Sequence, residues 1–242
     1  MFLGEEILEA HRKSGCRYGA PRIVEELRTR NIRISRRRCA RLMRARNLRG
    51  RKQPRRRPRT TDSRHGGPIA PNRLLSCPKA TRANQVWVAD ITYLRTGEGW
   101  LYLAAILDAW SRRVVGWACA QTLHTAIAIS ALQNALARGP KLNGLIHHSD
   151  RGCQYADSEY ISLLENHGLR RSMSRSGNCY DNALIESFWS TLKTETDLET
   201  KTPASRADAE LAVFEYIETF YNPTRRHSSL GYLSPVAFEK LN

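Results

Sequence analysis

The chain has 242 residues and a mass of 27.6 kDa, of which 41% are hydrophobic, and it carries a net charge of +16. This length allows one sizeable core with a smaller appendage, and no apolar run approaches the ~20 residues that a membrane-spanning helix needs. The N-terminus lacks the basic start and apolar centre of a signal peptide, so we expect a cytoplasmic protein. The six cysteines form no C-x-x-C pair, which argues against a zinc site or a disulfide framework.

The positive charge is concentrated at the start of the chain. Residues 1–59 hold 20 Lys and Arg against five Asp and Glu, whereas residues 60–242 hold 19 against 18. A basic arm on a nearly neutral body predicts a polyanionic partner, most commonly nucleic acid. The alternative is a basic surface that serves only solubility. The excess of arginine over lysine favours phosphate binding, because a guanidinium group binds phosphate in a bidentate manner.

Residues 1–50 predict a small basic helical segment. Residues 5–13 suit a short helix, Ala20-Pro21 suits the start of a second, and Ser35 suits the N-cap of a third. Two short helices separated by a turn, the second rich in arginine, fit a helix-turn-helix. Sequence-specific groove binding and nonspecific phosphate binding both stay open. The residues of the third helix that we predict to contact DNA are Arg36, Arg37, Arg38, Arg41 and Arg44.

The remainder divides into three further parts. Residues 51–78 are rich in Pro, Gly and Arg without a period, which predicts an extended, mobile linker. Residues 79–202 predict an α/β body, because a meander of apolar strands is followed by strands alternating with helices. Residues 203–242 predict a C-terminal helix that begins with a capping box of Ser205 and Asp208, followed by a tail packed on that body. The predicted strands are 85–94, 100–109, 114–120, 145–148 and 169–173, and the predicted helices of the body are 125–138, 158–167 and one from Asn182 onward.

Three acids stand out in the body. The helix from Asn182 carries Glu186 on a polar stripe turned away from its apolar face, and Lys193 lies on the same stripe because seven residues make nearly two turns. Thirty-five residues separate Asp150, which ends the apolar run LIHHSD, from Glu186. Asp90 lies inside the predicted strand WVADITYL. Three acidic residues, two placed by predicted strands and one by a predicted helix, predict a metal site for phosphoryl transfer.

Each acid has a structural alternative. Asp90 could be a satisfied group inside a strand, although burying a lone carboxylate is unfavourable enough to favour a partner or a metal. Asp150 could be a turn residue, since Asp-Arg-Gly is typical of a turn. Asp108 in the second strand is the rival for the first acid, and its neighbours Ser111 and Arg112 indicate that it caps a turn or pairs with an arginine instead.

Other polar and aromatic residues near the last acid are ambiguous. Asn178 and Asn182 could orient the acids or merely cap the helix that follows them. The tryptophans, Trp189 included, are expected only in packing. No cysteine, histidine or tyrosine of the body forms a recognisable nucleophile and base pair, so no covalent protein nucleophile is predicted.

The order of elements and four sequence segments resemble those of insertion-sequence transposases allied to retroviral integrases. Such transposases are often made from two overlapping reading frames. The four segments are WVADITYL, WLYLAAILDAWSRRVVGWA, HHSDRGCQY and SMSRSGNCYDNALIESFWSTLKTE. The resemblance covers about residues 5–50 and 80–240, and this chain corresponds to the second-frame product. It implies a ribonuclease-H-like integrase catalytic core, with a mixed five-stranded sheet and flanking helices, preceded by the helix-turn-helix-like segment.

The resemblance also implies a DDE transposase, which cleaves DNA at the 3′ ends of its element and joins them to a target. Asp90, Asp150 and Glu186 would be the catalytic, metal-binding triad, and Lys193 would contact the element's DNA end. Two Mg²⁺ ions would be the cofactor, with Mn²⁺ as a substitute, in keeping with the preference of Mg²⁺ for oxygen ligands. The implied partners are element ends, target DNA, further copies of the chain on DNA and an upstream-frame DNA-binding protein.

The chain departs from a retroviral integrase in lacking the zinc-binding N-terminal module, whose place is taken by the basic helical segment. Two other functions stay open. A structure-specific nuclease on the same fold would hydrolyse DNA without joining it. A noncatalytic DNA-binding repressor would bind DNA whether or not Mg²⁺ and Glu186 are present.

Overall fold

The structure, a computed structural model, describes residues 2–51, 67–75, 79–137, 142, 144–175 and 182–242. Its five strands are β1 Val86–Thr96, β2 Gly99–Asp108, β3 Val114–Ala120, β4 Ile146–Ser149 and β5 Arg170–Met173. They form one mixed sheet in the order β3-β2-β1-β4-β5. The pairs β1/β2 and β2/β3 are antiparallel, whereas β1/β4 and β4/β5 are parallel. The predicted α/β body with a mixed five-stranded sheet is confirmed, and β1 lies at its centre.

Eight α-helices accompany the sheet in the described part of the chain. None of them is long and apolar enough to cross a membrane. A π-helical stretch, Glu215–Tyr221, continues the seventh helix without a break. The helices are α1 Phe2–Lys13, α2 Ala20–Arg28, α3 Arg36–Ala45, α4 Thr125–Ala137, α5 Ser158–Asn166, α6 Ala183–Glu195, α7 Arg206–Phe214 and α8 Pro235–Leu241.

Local signals explain where several helices begin. Pro21 stands in the first turn of α2, where its missing N–H is not needed. The hydroxyl of Ser35 accepts a hydrogen bond from the amide of Arg38 and caps α3. Ser205 and Asp208 form a reciprocal capping box at the start of α7. These predicted starts are therefore observed.

The N-terminal helices pack on the body. Ile23 and Cys39, buried between α1, α2 and α3, belong to the same apolar cluster as Leu192 of α6 and Phe220 of the π-helical stretch. The guanidinium of Arg17 lies 4.4 Å from the centre of the Phe220 ring. The basic segment is thus a docked unit with its own buried residues.

Part of the predicted linker is attached to the sheet. The amide of Arg73 donates to the hydroxyl of Ser172 on β5 at 2.9 Å, and its Nε donates to the carbonyl of Arg171 at 3.0 Å. Residues 67–75 therefore differ from the extended linker that composition indicated, because they find hydrogen-bond partners along β5. Residues 52–66 and 76–78 lie outside the described residues.

The C-terminal tail returns to the sheet. The side-chain amide of Asn222 donates to the carbonyl of Val114 at 3.0 Å, and its oxygen accepts from the Val114 amide at 2.9 Å. Further along, the ring of Phe238 on α8 lies 4.7 Å from that of Trp110. The end of the chain thus covers the start of β3 and the turn before it.

Candidate active site

Two of the predicted acids meet where β1 and β4 run side by side. Ala89 of β1 is paired with Ser149, the last residue of β4, in parallel register, so Asp90 on β1 and Asp150 just after β4 are neighbours. Helix α6 reaches the same point, because Nε1 of Trp189 donates a hydrogen bond to Oδ2 of Asp90 at 2.9 Å. Glu186, three residues earlier on α6, completes a group that we call the acidic cluster: Asp90, Asp150 and Glu186.

The carboxylates of the acidic cluster influence one another. Burial raises the pKa of Asp90, and the negative charges of Asp150 and Glu186 raise it further. The hydrogen bond from Trp189 acts in the opposite direction but does not reverse the shift. Like charges held together in a partly desolvated place disfavour ionisation, and a cation between them would remove that repulsion.

The donor atoms of the acidic cluster suit a hard divalent cation. All three side chains offer carboxylate oxygens, which Mg²⁺ prefers, and few protein ligands leave room for water and phosphate oxygens. Within the described residues, no three His, Cys, Asp or Glu side chains are already gathered as a metal-binding group. The cluster therefore has the chemistry of a Mg²⁺ site without a closed cage of ligands.

Asp150 also makes the turn that its sequence indicates. Its Oδ1 accepts a hydrogen bond from the amide of Gly152 at 2.9 Å. A Cβ atom at Gly152 would lie only 3.0 Å from that same oxygen, which favours glycine at this position. The turn and the acidic cluster are compatible, because the bond to Gly152 orients the carboxylate that stands beside Asp90.

Helix α6 presents its polar stripe towards the acidic cluster. Phe188 and Leu192 are buried on the apolar side, whereas Glu186 and Lys193 are partly exposed. Burial lowers the pKa of Lys193, while the charges of Glu199 and Asp90 oppose that shift. The ammonium group of Lys193 is thus within electrostatic reach of Asp90, and its contact with the DNA end stays a prediction.

The residue before α6 is less easily explained. Asn182 occupies the N-cap position, but its side chain makes no capping hydrogen bond. Its Oδ1 is buried and has no hydrogen-bond partner among the residues that the structure describes. The capping alternative for Asn182 is therefore not what the geometry shows. Asn178 lies outside the described residues.

Asp108 is a satisfied structural carboxylate. It is fully buried, and its Oδ1 accepts from the amides of Trp110 and Ser111, both at 2.9 Å. Its Oδ2 accepts from the amide of Asn84 at 2.6 Å. Asp108 pairs with Trp87, three positions along β1 from Asp90. It caps the turn after β2, which was one of its two predicted structural roles, and it stands apart from the acidic cluster.

Trp189 is the residue of this site that the sequence analysis missed. It was assigned to packing, yet its indole N–H supports Asp90 across 99 positions of sequence. A buried indole usually finds an acceptor for its N–H, and a residue three positions after Glu186 lies on a neighbouring side of the helix. Those two facts are the only signals in the sequence that point to this interaction.

The predicted DNA-contacting arginines form an exposed basic surface on α3. We call Arg36, Arg37, Arg38, Arg41 and Arg44 the α3 arginine face, and all five side chains are exposed. By contrast, Arg46 at the end of α3 forms an ion pair with Glu5 at 3.0 Å, and Cys39 and Met43 are buried on the opposite side. Helix α3 therefore turns its charge outward and anchors itself through its apolar side.

Known protein families match most of this chain. Two integrase core domain families match residues 80–179 and 167–235, and an HTH-like domain family matches residues 3–57. An uncharacterized 31 kDa protein of insertion element IS600 from Shigella sonnei is 46% identical over 235 residues, or 97% of this chain and 86% of that protein. The chain belongs to the insertion-sequence transposases with an integrase core. Transposase InsF of insertion sequence IS3A from Escherichia coli K12 is 43% identical over 236 residues, or 98% of this chain and 81% of that protein.

The fold of this transposase is also that of retroviral integrases. A chain of the simian T-cell lymphotropic virus intasome, in complex with PP2A regulatory subunit B56 gamma, superposes with a TM-score of 0.55 at 15% identity, over 96% of this chain and 74% of that one. The HTLV-2 integrase catalytic core domain in complex with magnesium gives 0.50 at 16% identity, over 66% of this chain and 99% of that one. The predicted ribonuclease-H-like core is thereby confirmed.

Proposed function

We propose that this transposase is a DDE enzyme that cleaves the 3′ ends of its element and joins them to target DNA, with Mg²⁺ held by Asp90, Asp150 and Glu186. One observation carries the proposal. The carboxylate of Asp90, in the central strand, has two further carboxylates as its charged neighbours. Such a group is unfavourable without a cation, so its presence at the meeting point of β1, β4 and α6 supports a metal-binding role.

The chain's own residues would orient the reacting groups. When bound, two divalent ions supply the charge that activates a water or a DNA 3′-hydroxyl and stabilises the departing 3′-oxygen. The indole of Trp189 donates to Oδ2 of Asp90 and would orient this carboxylate for a bound ion. The amide of Gly152 holds one oxygen of Asp150 in the same way. Lys193 would contact a phosphate of the element's DNA end.

We propose that the α3 arginine face binds the DNA backbone and docks α3 on its target. The support is exposure: these side chains form no hydrogen bond or ion pair with the described residues, so their charge is available to phosphates. Replacing the five arginines by glutamine should lower the slope of log affinity against log salt concentration by about 0.9 for each phosphate that the variant no longer neutralises. Arg46→Gln is the matched control, because Arg46 is already paired with Glu5. An unchanged slope in the variant with all five arginines replaced would show that DNA binds to another surface.

We propose that the transposase works as a homo-oligomer on DNA, together with the DNA-binding protein of the upstream frame, because its reaction acts on two element ends and a target DNA. Sedimentation with and without DNA, in the presence and absence of that protein, tests this assembly. A single copy on each DNA end throughout strand transfer would contradict it.

The deciding experiment is a strand-transfer assay with the purified chain, labelled ends of its own element and a supercoiled target, in Mg²⁺ or Mn²⁺. A DDE transposase should give both nicked ends and joined products, each only with metal. A structure-specific nuclease should give nicked ends without joined products. A repressor should bind the ends equally well with and without metal and leave them intact.

A further inference from the structure

A second charged site lies at the opposite end of α6, where the N-terminal helices and the C-terminal tail meet the body. It is a cavity of about 210 Å³, which we call the arginine pocket. Its lining residues are Arg22, Arg51, Thr191, Thr194, Glu195 and Arg225. Three guanidinium groups therefore face one carboxylate. The proposed reaction makes no use of this pocket, since the acidic cluster lies elsewhere on α6.

One of the three arginines neutralises the carboxylate. Arg225 is buried, and it donates from Nε and Nη2 to the two oxygens of Glu195 at 2.9 and 2.8 Å. The hydroxyl of Tyr216 donates to Glu195 as well, at 2.9 Å. Glu195 thus has its partners, and Arg51 is ion-paired with Asp197. Arg22 is therefore the arginine that leaves the pocket positively charged.

Arg22 is the arginine with spare donors. Its Nε donates to the carbonyl of Arg226 at 2.9 Å, whereas its Nη1 is 3.8 Å from Glu195, beyond hydrogen-bonding distance. Neither Nη atom of Arg22 donates a hydrogen bond to the described part of the chain. Burial lowers the pKa of Arg22, and the nearby charge of Arg225 lowers it further. An anion in the pocket would relieve this repulsion and accept from both Nη groups.

Thr194 supplies a second unused donor. Its Oγ1 is buried and has no hydrogen-bond partner among the described residues. A buried hydroxyl without a partner is unfavourable, so it is usually matched by water or a ligand. Thr191 lies three residues earlier on the same helix and lines the same pocket. Unused guanidinium and hydroxyl donors around one cavity are the chemistry that recognises a tetrahedral oxyanion.

We propose that the arginine pocket binds a phosphate of the DNA backbone, held by the guanidinium of Arg22 and the hydroxyl of Thr194. The proposal rests on the proposed function for the identity of the ligand as DNA. Thr194 is eight residues from Glu186, or about 12 Å along the axis of α6. Successive phosphates of one strand rise about 3.4 Å along the axis of a DNA duplex, so a separation of about 12 Å along that axis corresponds to three to four nucleotides.

The structural alternative is an ion-pair interface between the N-terminal helices, α6 and the tail. Thr194→Val separates the two possibilities, because it keeps the shape of the side chain and removes only the unused hydroxyl. A plain interface should be as stable or more stable after this change. A phosphate site should lose its ligand instead. The matched control is Thr196→Val, at the end of the same helix, whose hydroxyl donates to the Leu192 carbonyl at 2.7 Å and does not line the pocket.

The first test uses inorganic phosphate as the probe. Thermal unfolding is measured in phosphate and in chloride at equal ionic strength, without metal. Phosphate should raise the melting temperature of the wild type and of Thr196→Val more than that of Thr194→Val or Arg22→Gln, because a ligand stabilises the state that binds it. An equal phosphate effect in all four proteins would overturn the proposal.

The second test uses a DNA duplex with a single neutral methylphosphonate moved along one strand. In the wild type, one position several nucleotides from the cleaved bond should weaken binding about tenfold, as expected when a charge-assisted hydrogen bond is removed. That sensitivity should shrink in Thr194→Val, which loses one of the two donors, and vanish in Arg22→Gln, which loses the charge. Persistence of the full effect in both variants would show that the pocket is only an interface. Neither test involves metal or catalysis, so a failure of strand transfer would leave both results interpretable.

Discussion

Helix α6 carries two glutamates whose surroundings are opposite. Glu195, near its end, is buried against Arg225 and Tyr216; burial alone would raise its pKa, but the arginines outweigh burial and lower it. Glu186, near its start, is partly exposed, faces Asp90, and forms no hydrogen bond or ion pair with the described residues. One helix thus holds a carboxylate that stabilises the fold and one that is available for chemistry.

The paired strands β1 and β2 repeat this contrast. Asp108 on β2 accepts three backbone amides, whereas Asp90 on β1 stands beside Asp150 and accepts an indole N–H from α6. Both are acids in apolar strands, and residue type alone does not tell them apart. The difference teaches that the groups facing a carboxylate decide what it can do: donors satisfy it within the fold, whereas further carboxylates leave it suited to bind a cation.

The largest effect is expected from neutralising the acidic cluster. Glu186→Gln keeps the size of the side chain but removes a charged ligand, so cleavage and joining should both fall by at least about 10³-fold while folding persists. Asp90→Asn and Asp150→Asn should behave alike. Any two of these changes together should lower the rate little beyond one, because the site works as a unit. Strand-transfer rates measured per folded molecule test this.

Asp108→Asn is the matched control for the acidic cluster. It should lower the stability of the protein, because an amide group replaces an oxygen that accepts backbone amides, and it should change the rate per folded molecule much less. Near-normal strand transfer in Glu186→Gln would exclude the proposed triad. So would complete loss of joining in a stably folded Asp108→Asn protein.

The second effect is on stability alone. Glu195→Gln removes one partner of a buried ion pair and leaves the charge of Arg225 uncompensated, so the free energy of unfolding should fall by about 3–5 kcal/mol. Denaturant titration measures it. Glu199→Gln, at an exposed position after α6, should change the stability little. A Glu195→Gln protein as stable as the wild type would mean that the two glutamates of α6 are not as different as their surroundings indicate.

The third prediction tests whether Trp189 supports metal binding through Asp90 or only packs in the core. Trp189→Phe keeps an aromatic ring but removes the N–H that holds Asp90, so the affinity for Mn²⁺ should fall by about 10–100-fold, as is typical when a partner of a metal ligand is removed. Direct Mn²⁺ titration reads this without catalysis. Trp117→Phe is the control, because it removes an indole bond to Glu218 at 2.9 Å, outside the acidic cluster. Equal Mn²⁺ affinity in both variants would leave Trp189 with a packing role only.

The smallest expected effect is a change in how the stability of the protein depends on pH, measured without metal. The folded-state pKa of Asp90 is raised, so between its unfolded and folded values the folded protein holds the extra proton, and stability falls as pH rises through that window. Asp90→Asn should remove this fall. Glu195 has a lowered pKa, so its stabilisation is present above its unfolded value and is lost as pH falls through the folded one. Parallel slopes in the wild type and Asp90→Asn would contradict the raised pKa of Asp90.

Much of the architecture follows from short-range patterns. The start of α2 at Ala20, the Ser35 cap of α3 and the Ser205 capping box depend only on neighbours within a few positions, so their prediction from sequence succeeded. The same holds for the polar stripe of α6, which depends on the helical period. That Asp150 and Glu186 would meet came from spacing and resemblance, and their roles as metal ligands stay a prediction.

The sequence by itself thus determined the order of elements, the charge of the N-terminal segment and the set of acids worth considering. Only the tertiary structure decided which acids are satisfied, that Trp189 reaches Asp90, and that Arg22 and Thr194 face one pocket with Arg225. The physical reason is that most of these contacts join residues from 21 to 204 positions apart, and the register of β1 on β4 and the docking of α2 on the tail set them. No local propensity encodes a partner at that separation, because it depends on how whole elements pack.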